Sequence, residues 1–234
     1  MKNIYVISDI HGELEIFNKM LNKINFKKDD KLIILGDVLD RGKHPIKTLQ
    51  LIMELKNVEL IMGNHEKMFL DFMFTEDEFD KRTFYQMLVY NGGYSTLAEY
   101  DVLEASEQER ILNYLKSLSY YKIIGNYILV HSGLNMSGIE NYTDIKKIME
   151  IQTEEDLLWS REQFFYKKAV EDYTTIFGHT PTPLIRNQTE NYNFNIWRDK
   201  TYKDKIGIDC GATFENGKLA CIRLNDEKVF YVKK

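Results

Sequence analysis

The first two-thirds of the chain alternates between short apolar runs and longer segments in which apolar residues recur every three or four positions. Short runs bounded by turn residues predict buried strands, whereas the longer period predicts amphipathic helices. In the helix predicted over 14–24, for example, Leu14, Phe17, Leu21 and Ile24 share one face. The strands predicted in this part are 4–8, 31–35 and 58–62, and the helices are 14–24, 45–55 and 65–74.

The remainder of the chain mixes both patterns. Residues 76–118 are predicted to be mainly helical, with an interruption at Asn91-Gly92-Gly93. Ser106 and Glu109 have the spacing of a helix capping box. No repeat, low-complexity segment or linker is visible, so we expect a single α/β domain. Further strands are predicted at 128–130, 174–177, 205–208 and 219–224, helical pieces near 144–151 and 161–170, and a loop or edge hairpin over 186–204.

Five of the predicted strands are each followed, within two residues, by a residue of a type that can bind a metal ion. Ligand sites of α/β sheets gather beyond the carboxyl ends of the strands, so these residues should meet at one rim. Carboxylate, imidazole and amide oxygen ligands suit divalent cations, and Asp37, central in the series, is a natural bridge between two ions. The motifs are Ser8-Asp9-Ile10-His11-Gly12, Gly36-Asp37-Val38-Leu39-Asp40-Arg41-Gly42, Gly63-Asn64-His65-Glu66, His131-Ser132-Gly133 and Gly178-His179-Thr180.

Each of these motifs, taken alone, also has an ordinary structural explanation. An aspartate after a strand can cap a helix, and Gly-Asp or Gly-Asn pairs are common in turns. The coincidence of a ligand type at five separate strand ends favours a metal site instead. Together with nearby arginines for an anion, such a site is typical of metal-assisted phosphoester hydrolysis.

Composition excludes some classes of function. The formal net charge of −5 gives no basic excess of the kind that nucleic-acid binders show. No apolar run approaches the roughly 18–20 residues of a membrane span. The first predicted strand starts directly after Met1-Lys2-Asn3, so we expect no signal peptide.

The two cysteines, Cys210 and Cys221, flank Asn216-Gly217, which is a strong signal for a two-residue hairpin turn. In that hairpin the two thiols would be diagonal neighbours. We therefore expect reduced thiols and a cytoplasmic protein.

The motifs also resemble those of a known family. Asp-x-His-Gly, Gly-Asp-x-x-Asp-Arg-Gly and Gly-Asn-His-Glu, in this order, are similar to the phosphoprotein phosphatase family of metallophosphoesterases. Its bacterial and phage-type serine/threonine protein phosphatases and the related symmetrical diadenosine tetraphosphatases have similar segments at 91–93, 157–161 and 208–212. The resemblance covers about 4–224. It implies a sandwich of two mixed β-sheets flanked by helices, as a calcineurin-like domain over 1–234 with a helical insert at about 66–118.

The resemblance also implies roles for individual residues. Asp40 would orient the His65 imidazole and favour its charged form. Arg161 has an alternative, since it could be a surface residue stacked near Trp159. Glu66 is expected to support the helix or the ligands rather than bind metal. The implied ligands are Asp9, His11 and Asp37 for one metal ion and Asp37, Asn64, His131 and His179 for the other; Arg41 and Arg161 would hold phosphate, and His65 with Asp40 would protonate the leaving group.

Two divalent ions, with manganese expected in vitro and iron or zinc as alternatives, would generate hydroxide near neutral pH for direct in-line attack on phosphorus. Length favours the compact phage-type phosphatases, so phosphoserine or phosphothreonine in proteins is the preferred substrate. The alternative is a symmetrical dinucleoside polyphosphate hydrolase, in which the Tyr- and Phe-rich segments 84–100 and 186–202 would form an adenine pocket. A non-catalytic phosphate-binding scaffold is disfavoured, because all candidate ligands are present. The oligomeric state is left open.

Overall fold

A computed structural model describes residues 2–139 and 142–234. The strands within these ranges are β1 (Ile4–Ile7), β2 (Lys31–Ile34), β3 (Val58–Leu60), β4 (Tyr121–Ile124), β5 (Tyr127–Val130), β6 (Thr174–Phe177), β7 (Trp197–Arg198), β8 (Lys205–Gly207), β9 (Lys218–Arg223) and β10 (Lys228–Lys233). The helices are α1 (Leu14–Lys23), α2 (Pro45–Glu54), α3 (Asn64–Phe74), α4 (Glu78–Tyr90), α5 (Tyr94–Tyr100), α6 (Ala105–Lys116), α7 (Ile145–Glu150), α8 (Glu154–Trp159), α9 (Glu162–Phe165) and α10 (Thr182–Ile185).

The strands form two mixed sheets, with the orders β10-β9-β1-β2-β3 and β4-β5-β6-β8-β7. In the first sheet β1, β2 and β3 are parallel, while β9 and β10 extend it in antiparallel fashion. In the second sheet β5, β6 and β8 are parallel, and β4 and β7 are antiparallel edges. Parallel strands require crossover connections, which cover the outer faces of the sheets with helices. The predicted two-sheet sandwich is confirmed.

Apolar side chains of both sheets fill the space between them, among them Val6, Ile33 and Ile176, which are fully buried. Helices cover the outer face of the first sheet, and helix residues such as Phe17 of α1 are buried there. The outer face of the second sheet packs through an aromatic cluster that includes Phe177. None of the helices in the described ranges combines the length and the hydrophobicity that a bilayer span requires.

The helices between β3 and β4 agree with the expected helical segment, but the predicted capping box at Ser106 is wrong. Helix α6 starts at Ala105, its N-cap residue is Glu104, and no side chain caps it. Ser106 therefore lies inside the first turn. A capping box is present elsewhere, formed by Thr153 and Asp156 at the start of α8, a helix that the apolar pattern did not indicate.

The hairpin predicted at Asn216-Gly217 is also wrong. Cys210 follows β8 of the second sheet, whereas Cys221 lies in β9 of the first sheet. Both edges of β9 are already paired, with β1 and with β10, so Asn216-Gly217 instead forms part of a turn that connects the two sheets. The two cysteines are buried free thiols. The segment 186–204, predicted as a loop or an edge hairpin, contains the short edge strand β7, which pairs in antiparallel fashion with the following β8.

Candidate metal centre

The six parallel strands end at one rim, and each is followed within four residues by a buried polar side chain. Hydrogen bonds join the two sheets here: the backbone N–H of His179 donates to the Asp9 carboxylate at 3.1 Å, and Nδ1 of His131 donates to the carbonyl of Leu35 at 2.7 Å. The five strand-end residues of the sequence analysis therefore come together. The rim residues, in chain order, are Asp9, Asp37, Asn64, His131, His179 and Asp209.

The backbone around this rim is strained. A left-handed backbone costs a non-glycine residue roughly 1 kcal/mol or more, and such residues cluster at functional sites. The residues concerned are Asp9 (49°), His11 (45°), Asp37 (54°), Asp40 (69°), Arg41 (65°) and His179 (64°).

A first group of potential ligands consists of His11, Asp37 and His65, whose ligand atoms lie within 4.8 Å of one another. Nδ1 of His11 donates to the carbonyl of Leu39 at 2.8 Å, and Nδ1 of His65 donates to Oδ2 of Asp40 at 2.6 Å. Since both Nδ1 atoms carry the proton, both Nε2 atoms keep a lone pair. The Nε2 atoms of His11 and His65 lie 3.7 Å and 3.8 Å from Oδ2 of Asp37.

A second group consists of Asp37, His131 and His179, again within 4.8 Å, together with Asn64. Oδ1 of Asn64 lies 2.8 Å from Nε2 of His131 and 2.9 Å from Nδ1 of His179. Nδ1 of His131 donates to a carbonyl, so its Nε2 carries a lone pair and no proton. This Nε2 faces acceptor oxygens, including Oδ1 of Asp37 at a distance of 3.4 Å. Lone pairs that converge in this way suit a cation. Asp37 presents one oxygen to each group, as a bridging ligand would.

The electrostatics of the histidines fit metal binding. Burial lowers the pKa of His11, His65 and His179 well below the ordinary range and that of His131 to about 3. The rings are therefore neutral at physiological pH, which is the state that binds metal ions. In addition, Nε2 of His179 is buried and has no hydrogen-bond partner among the described residues. Imidazole nitrogens beside carboxylate and amide oxygens fit a pair of divalent transition-metal ions.

Asp9 lies beside these groups but outside both of them, within the part of the chain that is described. Its carboxylate accepts hydrogen bonds from the backbone N–H of His179 and from the hydroxyl of Ser8. Burial raises the pKa of Asp37 well above its usual value, and the charge of Asp9 raises it further. Asp9 is thus within electrostatic reach of the centre, and its role as a ligand stays a prediction.

Glu66 is fully buried and braces the loop that carries Asp37. Its Oε2 accepts from the backbone N–H groups of Asp37 at 2.8 Å and Gly63 at 3.1 Å. Its Oε1 accepts from those of Val38 at 2.9 Å and Leu39 at 3.1 Å. The carboxylate thereby ties the start of α3 to the loop after β2, and it has a supporting position rather than that of a ligand.

Arg41 lies over the first group. Its Nη1 donates to Nε2 of His11 at 2.9 Å and its Nη2 to Nε2 of His65 at 3.0 Å. The residue is nevertheless exposed on its outer side. The backbone N–H of Arg41 donates to the carbonyl of Gly92 at 2.9 Å, so the turn between α4 and α5 holds the arginine in place.

Arg161 lies at the other side of the centre. Its Nη1 donates to Oγ1 of Thr180, the residue after His179, at 2.8 Å. Trp159 instead contacts the His179 ring edge-on, with the ring centroids 5.8 Å apart. Burial lowers the pKa of the Arg161 guanidinium, while the charges of Asp209 and Asp37 oppose this shift, so the arginine faces the acidic rim.

His65 and Asp40 form a buried pair, with exposures of 1% and 0%. Burial raises the pKa of Asp40 to about 7, whereas burial and the Arg41 charge lower the pKa of His65. Burial and the Arg41 charge therefore favour a neutral His65 ring in the free protein, and the expectation that Asp40 favours its charged form stays a prediction. Asp40 does orient the ring, since it fixes the proton on Nδ1 and directs Nε2 to the centre.

Asp209, the sixth rim residue, was not among the site residues predicted from the sequence. Its Oδ1 accepts from the backbone N–H of Gly211 at 2.9 Å, and its charge raises the pKa of Asp9 beyond the effect of burial. The signal was present, because Asp209 directly follows a predicted strand, and the other five residues also lie within two positions of a strand end.

Comparison with known proteins agrees with this geometry. The sequence model of one protein family, described as calcineurin-like phosphoesterase, matches residues 2–209. Serine/threonine-protein phosphatase 2 of Salmonella typhimurium is 28% identical over 76% of this chain and 84% of its own length. The symmetrical bis(5'-nucleosyl)-tetraphosphatase of Wigglesworthia glossinidia brevipalpis is 25% identical over 98% of both chains.

Among solved structures, a crystal structure provisionally named a diadenosine tetraphosphatase has a TM-score of 0.67. It is 18% identical, and the alignment covers 99% of this chain and 93% of the other. At this identity the likeness concerns the fold alone.

Proposed function

The chain belongs to the calcineurin-like phosphoesterase family, which confirms the resemblance of its motifs, and on this premise we propose that it is a metal-dependent serine/threonine protein phosphatase. Its membership makes it a phosphoester hydrolase. The finer assignment concerns the substrate class. The homologues include both a protein phosphatase and dinucleotide hydrolases, so the choice between them depends on the chemistry of the site.

The observation that carries the proposal is the buried His65–Asp40 pair beside the ligand groups. The alkoxide of serine or threonine is a poor leaving group and needs a proton as the P–O bond breaks. Cleavage of a dinucleoside polyphosphate releases a phosphate anion, for which a proton donor matters far less. A histidine held with Nε2 towards the centre therefore supports an alkyl phosphate substrate.

Asp9, His11 and Asp37 would hold one metal ion, and Asp37, Asn64, His131 and His179 would hold the other, which leaves His65 of the first group free to act as the proton donor. When bound, such ions supply Lewis-acid charge that lowers the pKa of water and neutralises phosphate oxygens. The neutral histidines are ready to bind at physiological pH. We propose manganese for activity in vitro, and iron or zinc would also suit this ligand set.

The chain's own cations position the substrate. Arg41 and Arg161 lie at opposite sides of the centre, and their planar guanidinium groups match phosphate oxygens better than lysine does. A phosphate dianion held between them places negative charge next to Nε2 of His65, which favours protonation of that atom. The proton then passes from Nε2 to the leaving oxygen, while Asp40 keeps the ring in orientation.

A second candidate, a symmetrical dinucleoside polyphosphate hydrolase, is favoured by one observation. Tyr90 and Tyr94, exposed to 92% and 73%, flank the turn whose Gly92 carbonyl holds Arg41. Exposed tyrosines next to a phosphate-binding arginine could stack on a nucleobase. The other aromatic segment, 186–202, is less suited, because its Trp197 packs against Phe165 and Phe177 of the outer layer.

We also propose a cellular location for the protein. The buried free thiols of Cys210 and Cys221 suit a reducing compartment, and on this basis we infer a cytoplasmic location.

The proposal is tested by phosphate release from a phosphothreonine peptide after chelation and after addition of Mn²⁺. We expect activity only with the metal, and a loss of at least about 100-fold in kcat/KM for Arg41→Ala. Lys43→Ala, an exposed cation two residues away, is the matched control and should retain the wild-type rate. A wild-type protein that binds Mn²⁺ but does not cleave the peptide would overturn the assignment.

The second candidate has its own test. Tyr90→Ala/Tyr94→Ala should raise KM for diadenosine tetraphosphate about tenfold or more if the rings stack on a base. Phe79→Ala removes an equally exposed aromatic ring from the start of α4 and serves as the control. An unchanged KM in the double variant would remove this argument for a nucleotide substrate.

A further inference from the structure

The His65–Asp40 pair continues to a third side chain. The hydroxyl of Thr96 donates to Oδ1 of Asp40 at 2.5 Å, and the backbone N–H of Asp40 donates back to the same hydroxyl oxygen at 2.9 Å. Asp40 Oδ2 accepts from His65, so both carboxylate oxygens are occupied. Thr96, Asp40 and His65 are all buried, with exposures of 0%, 0% and 1%.

We propose that Thr96 is a positioning residue for leaving-group protonation: its hydroxyl fixes the Asp40 carboxylate, which in turn fixes the His65 ring. This inference rests on the proposed function of His65 as the proton donor. Thr96 touches neither arginine nor any potential metal ligand through the contacts described, so its effect must pass through Asp40.

The contacts of Thr96 restrict one rotation of the Asp40 carboxylate. A carboxylate held only by its bond to His65 could turn about its χ2 angle, and the imidazole would follow it. The hydroxyl of Thr96 holds the second oxygen, and the backbone N–H of Asp40 holds the hydroxyl, so the plane of the carboxylate is fixed. The β-branched threonine has few χ1 rotamers, which strengthens this constraint. Helix α5, which carries Thr96, is itself attached to the Asp40 loop through the Gly92 carbonyl.

The neighbouring residue provides a matched control. Ser95 is also a hydroxyl residue of α5, and its Oγ has no hydrogen-bond partner among the described residues. Ser95→Ala therefore removes a hydroxyl from the same helix without affecting Asp40, and it should retain the wild-type rate.

The test compares kcat for a phosphothreonine peptide and for p-nitrophenyl phosphate, whose leaving group departs without a proton. Thr96→Val, which keeps the shape but removes the hydroxyl, should lower kcat for the peptide about 10-fold or more, as expected for loss of a hydrogen bond to a charged group. It should change the aryl rate less than about 3-fold. Thr96→Ser keeps the hydroxyl and should retain at least about half of the peptide rate. A serine variant that is as impaired as the valine variant would overturn the proposal.

A double-mutant cycle separates positioning from general destabilisation. In a His65→Asn background, Thr96→Val should lower the peptide rate less than about 2-fold, because the group it positions is gone. An equal loss in both backgrounds would show that Thr96 acts independently of His65 and would overturn the inference. Wild-type protein without activity on either substrate would instead contradict the proposed function.

Discussion

The carboxylate of Glu66 accepts a hydrogen bond from the backbone N–H of Asp37 at 2.8 Å, so one buried acid fixes the loop that carries another. Asp37 is the residue that both ligand groups share. The position of the metal centre thus depends on a contact between two motifs that lie far apart in the sequence.

Asp37→Asn removes the charge that would bridge two cations. We expect the number of bound Mn²⁺ ions, measured by calorimetric titration, to fall from two to one. Phosphate release should fall at least about 100-fold, because metal-ion stabilisation is worth several kcal/mol. Asp29→Asn, at an exposed aspartate, should change neither quantity. Two bound ions and near-normal turnover in Asp37→Asn would remove it as the bridge.

Glu66→Gln replaces one of two carboxylate oxygens by an NH₂ group that cannot accept. Two of the four backbone N–H groups that Glu66 binds would lose their acceptor, at about 1–3 kcal/mol each. We expect the melting temperature to drop by roughly 5–20 °C in thermal unfolding. The exposed Glu109→Gln should melt like the wild type. A melting temperature of Glu66→Gln within a degree of the wild type would contradict the bracing role.

His65→Asn should reduce kcat for a phosphothreonine peptide by about 10²–10⁴, the range of general acid catalysis, and affect p-nitrophenyl phosphate far less. His44→Asn, at a partly exposed histidine that contacts Glu99, serves as the control. Equal losses of His65→Asn on both substrates would show that the ring does not protonate the leaving group.

Ionisation of Asp209 is expected to make the stability of the folded protein depend on pH. Burial raises its pKa to about 6 in the folded protein, above the value near 4 of an exposed aspartate. The folded state therefore binds this proton more tightly than the unfolded state. The stabilisation of the folded state by this proton is complete below about pH 4, and it is lost as the pH rises through about 6.

Asp209→Asn cannot ionise and keeps an oxygen for the Gly211 N–H. In metal-free protein it should raise the melting temperature by about 3–8 °C at pH 8 and by less at pH 5. The comparison is made by thermal unfolding, with the exposed Asp101→Asn as control. An increase in melting temperature that is larger at pH 5 than at pH 8 would contradict the predicted pH dependence.

The sequence predicted the rim because the relevant signals are local. Strand β1 is a continuous apolar run and β6 ends in Ile176-Phe177, and the first polar residues after these apolar stretches mark the carboxyl ends of the strands. Parallel pairing then places Asp9 beside Asp37 in the first sheet and His131 beside His179 in the second. Residues whose type and place carry the chemistry were therefore visible without the structure.

The remaining features depend on contacts between distant segments. Thr96 and Asp40 are 56 positions apart, and nothing in the sequence around either residue indicates their hydrogen bond. The Asn216-Gly217 signal was real but was overridden, because β9 pairs with β1 and β10 on its two edges. A local turn preference cannot compete with two complete strand ladders.

The most direct test of the proposed function is a side-by-side comparison, in Mn²⁺, of kcat/KM for a phosphothreonine peptide and for diadenosine tetraphosphate. We predict that phosphate is released from the peptide faster than ADP is released from the dinucleotide, since the His65–Asp40 pair serves a leaving group that needs a proton. Faster production of ADP would contradict the assignment as a protein phosphatase and identify a dinucleotide hydrolase.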